Sequence, residues 1–227
     1  MMRPLGLSLL WISFIIYSFG FAPPEQPDTL ALIQRLAGGD WDGINPAIVV
    51  LFNLMGIWPL VYAGLALVDG HGQRVPAWPF VVGSFGLGAF LLLPYLVLRS
   101  PNPTFSAAGL RSGDQGPSRL LKLLESRWLG VFLTLGAAGL MAYGLYAGDW
   151  ADFVGQWRTS RFIHVMSLDF CALWLLVPCL LADDMARRSW KSPSILALVM
   201  AVPLVGAAAY LAFRPPLPLE SVPQSGN

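Results

Sequence analysis

Of the chain's 227 residues, 56% are hydrophobic and only 12% charged, about half the ~25% charged fraction usual in a soluble domain, so too few polar groups exist to coat a globular surface. Its 14 Lys and Arg nearly balance 13 Asp and Glu, which excludes the basic footprint of a nucleic-acid binder and leaves lipid as the expected partner. The length suits one compact helical domain and leaves no room for a bundle plus a substantial soluble domain.

Apolar windows long enough to cross about 30 Å of hydrocarbon fall at 4–22, 45–69, 77–98, 128–147, 161–182 and 194–213. The first follows Arg3 and ends near the small-residue run Gly20-Phe21-Ala22, but Pro23 comes next, so it reads as a retained span rather than a cleaved signal. Thr29 to Ala37 is expected to lie as an interfacial helix. The connection 99–127 is rich in Gly and Pro and closes on Ser118 to Trp128, where leucines mix with Arg119, Lys122 and Arg127; it reads as a linker ending in a headgroup-resting segment. The tail 214–227 is expected to be disordered. Loops one, three and five carry Arg35, Arg99, Arg111, Arg119, Lys122, Arg127, Arg187, Arg188 and Lys191, and the other side only Arg3, Arg74, Arg158, Arg161 and Arg214. The odd loops are therefore expected on the cytoplasmic side and both termini outside.

The two halves echo one another in order. Gly39-Asp40-Trp41 recurs as Gly148-Asp149-Trp150; Asn53 with Trp58 recurs as Asp169 with Trp174; Tyr95-Leu96 with Arg99, Pro101 and Pro103 recurs as Tyr210-Leu211 with Arg214, Pro216 and Pro218. These matches predict an all-α polytopic membrane bundle of about six transmembrane helices. Residues 1–98 and 128–213 form two three-helix repeats. Three spans per copy would insert the second from the opposite face, a 3+3 inverted repeat of the kind common in carriers.

Asp169, nine residues into its span and so about 13 Å deep, must face protein or water, because an acid at that depth costs at least ~2.5 kcal/mol. Asn53 is similarly deep, and antiparallel packing of the two helices would make Asn53 and Asp169 a candidate intramembrane polar site, either solute-binding or a structural pin. His71 and His164 are the only histidines. His164 is the candidate ligand for haem or a pigment, although a single interfacial histidine more often serves as a hydrogen-bonded structural group; the sequence identifies no cofactor. Cys171 and Cys179 stand eight residues apart on one apolar stretch, too far to bridge and with no metal-ligand spacing. No nucleophile, base and orienting group recur together, so an enzyme is disfavoured. Asp183-Asp184 with Arg187-Arg188 reads as a solvated helix end.

Pro76-Ala77-Trp78-Pro79-Phe80, Ser84-Phe85-Gly86 with Gly88, Pro94-Tyr95, and Ser167 with Asp169-Phe170 followed by Asp184 and Arg187 resemble a family of multi-pass membrane proteins from cyanobacteria and chloroplasts. The resemblance implies a photosynthetic membrane, thylakoid or cytoplasmic, and attaches no reaction. The expected function is non-enzymatic support for assembly of a membrane complex with other membrane subunits. The alternative is a small secondary carrier with its polar site at the repeat interface.

Overall fold

The computed structural model describes residues 2–70, 73–102 and 119–217, whose regular structure is helical with no strand among them. His71 and the greater part of the predicted linker and tail lie outside the described residues. Helices α1 (Met2–Gly20), α2 (Thr29–Gly38) and α3 (Pro46–Asp69) lead to a pair of ten-residue helices, α4 (Trp78–Leu87) and α5 (Ala89–Leu98). After α6 (Arg119–Leu124), the order repeats as α7 (Arg127–Ala147), α8 (Trp150–Thr159), α9 (Arg161–Leu176) continued by α10 (Pro178–Arg187), then α11 (Pro193–Ala201) and α12 (Val205–Phe213). Three helical rods, Pro46–Asp69, Arg127–Ala147 and Arg161–Arg187, are long and apolar enough to cross a membrane.

The central rod is α3. Asn45 caps it by accepting the Ala47 N–H, Pro46 occupies its first turn where a missing N–H costs nothing, and its apolar residues run all round rather than along one stripe. Trp58, Val61, Tyr62 and Leu65 are accordingly fully buried. The Tyr62 hydroxyl donates to the carbonyl of Leu173 across the α3–α9 contact at 2.7 Å. Two glycines let α7 close in. A Cβ on Gly130 would strike the backbone of Ala212 in α12, and one on Gly144 would crowd Val50 in α3, so small residues here set interhelical distance.

The windows 77–98 and 194–213, each expected as one span, are helical hairpins. Residues 15 positions apart on a straight helix would lie about 22 Å apart, yet the rings of Phe80 and Tyr95 have centroids 5.7 Å apart. Gly88 makes the reversal in the first hairpin with φ +47°, a conformation that costs glycine least. In the second, Leu204 turns at φ +61°, and Trp190 stacks on Tyr210 at 5.8 Å. At 1.5 Å per residue the arms, ten residues long in the first hairpin and nine in the second, reach about 14–15 Å, half the thickness of a hydrocarbon core.

The long helices also run differently from the expected arrangement. Ile48 and Val49 near the start of α3 pack with Ile163 and Met166 near the start of α9, while Asp69 at the end of α3 meets Arg187 at the end of α10. These helices are therefore parallel, whereas the inverted arrangement required them to be antiparallel. The Gly-Asp-Trp echo also has no common structural role: the first copy follows α2, where Asp40 pairs with Arg35, and the second precedes α8, where Asp149 caps the helix.

Candidate functional site

At the end of the bundle where α3, α5, α10 and α12 finish, Asp69, Asp183, Asp184 and Glu125 interlock with Arg99, Arg187, Arg188 and Arg214. Asp183-Asp184 and Arg187-Arg188 are thus buried rather than a solvated helix end, and Arg214, expected to begin a disordered tail, is 4% exposed. Asp69 receives the Tyr95 hydroxyl at 2.8 Å and a two-pronged contact from Arg99. Asp184 receives the Tyr210 hydroxyl at 2.8 Å and Arg214 at 3.3 Å. The spacings are identical: each aspartate precedes its tyrosine by 26 residues and its arginine by 30. Arg187 contacts both aspartates and ties the clusters together. Burial disfavours the charged form of Arg99, but the Asp69 and Asp183 carboxylates outweigh it and hold its pKa above the ordinary value. Glu125 and Asp184 do the same for Arg188. With four carboxylates facing four guanidiniums, the cluster is self-neutralising, which makes burial of so many charges tolerable.

Toward the middle of the bundle, the carboxylate of Asp169 accepts the Ala89 N–H at 2.7 Å. This is the first N–H of α5, so the acid caps the tip of the α4–α5 hairpin at a helix N-terminus that favours negative charge. A Cβ on Gly88 would collide with that carboxyl group; glycine is required there on both steric and conformational grounds. Beside the tip lies a cavity of about 340 Å3 between α1, α2, α3, α4, α5 and α9, with Asp169, Ser18, Ser84 and Thr29 among its polar lining and Glu25 and Arg161 contributed by the end away from the ionic cluster. Arg161 is held by donating Nε to the Pro23 carbonyl at 3.1 Å.

The predicted pairing of Asn53 with Asp169 does not form. Asn53 instead donates to the Val49 carbonyl one turn back at 2.8 Å, because parallel packing of α3 and α9 gives Asp169 the hairpin tip as its partner. His164 is buried, with Nδ1 2.9 Å from the Trp157 carbonyl and Nε2 3.0 Å from the Tyr17 hydroxyl. A carbonyl only accepts, so Nδ1 carries a hydrogen toward Trp157, and Nε2 faces the Tyr17 hydroxyl. Both nitrogens are committed, and a haem or pigment metal would have to displace Tyr17. Among the described residues no group of His, Cys, Asp and Glu is arranged to hold a metal.

The sequence reading passed over Asp69, although its spacing to Tyr95 and Arg99 repeats that of Asp184 to Tyr210 and Arg214; extending the Tyr–Arg echo upstream would have found it. Ser18 and the hairpin tip carry no comparable signal. No protein-family model, curated protein or solved structure matches the chain.

Proposed function

We propose that this chain is a small membrane carrier whose solute site is the Asp169 cavity. The observation that supports this reading is a buried carboxylate held against the tip of a half-depth helical hairpin and facing an adjoining cavity. Interrupted helices whose ends meet near mid-depth are a recurrent way to place helix termini and a polar side chain against a solute. The candidate site is Asp169 with the α4–α5 tip; Asn53, bonded to the Val49 carbonyl of its own helix, is not part of the cavity lining.

The topology in this proposal has four crossings, α1, α3, α7 and α9–α10, and two half-depth hairpins entering from the ionic end. Two crossings return the chain to the side where it began, so the two copies share one orientation instead of being inverted. The ionic end then collects Arg3, Arg74, Arg119, Lys122, Arg127 and Lys191 beyond its paired charges, whereas the opposite end carries Glu25, Asp28, Asp40, Asp42, Asp149 and Asp152 against Arg35, Arg158 and Arg161. The positive-inside rule places the ionic end and both termini in the cytoplasm, or in the stroma of a plastid. The cavity faces the other way.

A support role in a larger complex draws on the outward face of α7, where Trp128, Phe132 and Tyr146 are exposed. Lipid covers such a face equally well, so the cavity carries the proposal. To test it, Phe85→Cys in a background lacking Cys171 and Cys179 is treated with a membrane-impermeant thiol reagent from each side. Labelling from the acidic side, together with loss of uptake of an amine, amino-acid and sugar panel in folded Asp169→Asn proteoliposomes, is the expected result. A tip that no reagent reaches, or an Asn variant that transports as well as the parent, would sink the carrier reading.

A further inference from the structure

We infer that the Asp169 cavity selects a small organic cation, a protonated amine or ammonium group carried on an apolar body. This inference rests on the reading of the cavity as a solute site and specifies its chemistry.

Three features converge on that class. Phe19, Phe52, Phe85, Phe90 and Phe162 all line the cavity, and aromatic faces attract a cation most strongly where water is excluded. Asp169 uses one oxygen, Oδ1, for the Ala89 N–H, and among the described residues its second oxygen accepts no hydrogen bond, leaving a carboxyl oxygen in the cavity wall for an N–H donor to engage. Ser18, only 2% exposed, also lines the cavity, and its hydroxyl has no hydrogen-bond partner. A buried hydroxyl in that state lacks the compensation that native interiors supply, and an N–H donor would provide it.

The lining also disfavours other ligand classes. The lining offers an anion a single guanidinium, Arg161, whose Nε is already engaged by the Pro23 carbonyl, and sets two carboxyl groups, Glu25 and Asp169, beside it. A hard metal cation wants about six oxygen ligands, whereas this wall is built largely of phenylalanine, Met55, Val165 and Met166. A neutral apolar molecule would fit the rings but leave the second oxygen of Asp169 and the Ser18 hydroxyl without a partner. An amine on an apolar body satisfies both parts of the wall. The amine has two chemical sources, a free solute or the ammonium headgroup of a phospholipid.

The experiment uses the full chain in phosphatidylglycerol nanodiscs, which contain no ammonium headgroup, titrated with phenethylammonium, 2-phenylethanol and phenylacetate. These probes share a ring and differ in charge. The expected order is phenethylammonium at least ~10-fold tighter than the alcohol, with phenylacetate weakest, and Asp169→Asn should erase the preference. Since that variant could disturb the hairpin, Phe52→Leu and Phe162→Leu provide an independent reading: each should weaken phenethylammonium severalfold and leave the alcohol unchanged. Equal binding of amine and alcohol would overturn the inference while leaving the cavity as a solute site. Failure of all three probes to bind would overturn both. Competition from added phosphatidylethanolamine would identify the lipid headgroup as the natural source, and undiminished binding would identify a free amine; both outcomes support the ammonium class.

Discussion

At the scale of single residues, the buried charges are ordered by what each would leave behind if removed. Asp184 touches Arg187, Arg188 and Arg214 and receives the Tyr210 hydroxyl, so Asp184→Ala strands several guanidiniums away from water. Removing one member of a buried ion cluster typically costs about 3–5 kcal/mol, and that loss is expected in unfolding measured in detergent. Arg35→Ala, which breaks exposed contacts with Asp40 and the Asp42 carbonyl, should cost far less by the same measurement, since water screens and replaces them. Comparable losses for the two variants would contradict the burial described above. Gly88→Ala combines positive φ with a clash against Asp169 and is expected to destabilise by about 1–3 kcal/mol through strain alone. A stability unchanged from the parent would show that the turn relaxes freely.

At the scale of elements, the hairpins decide how the chain meets the bilayer. If 77–98 were one crossing, positions 78 and 98 would lie on opposite sides; as a hairpin they lie on the same side. Cysteines placed at Trp78 and Leu98, which are both exposed, should therefore react with an impermeant thiol reagent added from the ionic end, and neither should react first from the acidic end. Opposite labelling would restore the single span. Here the limits of the sequence have a physical cause. Two apolar arms joined by one glycine have the length and hydropathy of a single crossing, and nothing in Phe85-Gly86-Leu87-Gly88 distinguishes a reversal from a kink. By contrast, α3, α7 and α9–α10 were legible because each is an unbroken apolar run, and Asn45-Pro46 marks the start of α3 unambiguously. Asp169 was legible as a buried acid since its position within an apolar run demands a partner. Its actual partner, a backbone N–H, has no signature in the sequence.

Across the whole molecule, the paired clusters join two similarly ordered halves at one end, with Arg187 shared between them, while Asn45 donates to the Asp149 carbonyl and the Asp152 carboxylate at the other. Tags at the N- and C-termini should be digested from the same face of sealed vesicles, because the proposed four crossings are even in number. Digestion from opposite faces would require an odd count and overturn the topology. The Tyr–Arg echo between halves was visible from residue spacing alone, but relative orientation was not: it depends on the number of complete crossings, and the hairpins changed that number.

The distribution of charge within the ionic cluster also bears on how the protein is made. Asp69 and Arg99 emerge from the ribosome within 30 residues of each other and neutralise one another, so the first half can enter a membrane with this pair already matched. The second half cannot complete its set until Arg214 has been synthesised, 30 residues after Asp184, when Asp184 gains its distant guanidinium and Glu125 its second. A nascent chain cut short of Arg214 should therefore assemble its first half and hold its second only loosely, leaving those acids as a mark of incompleteness that a membrane protease could read.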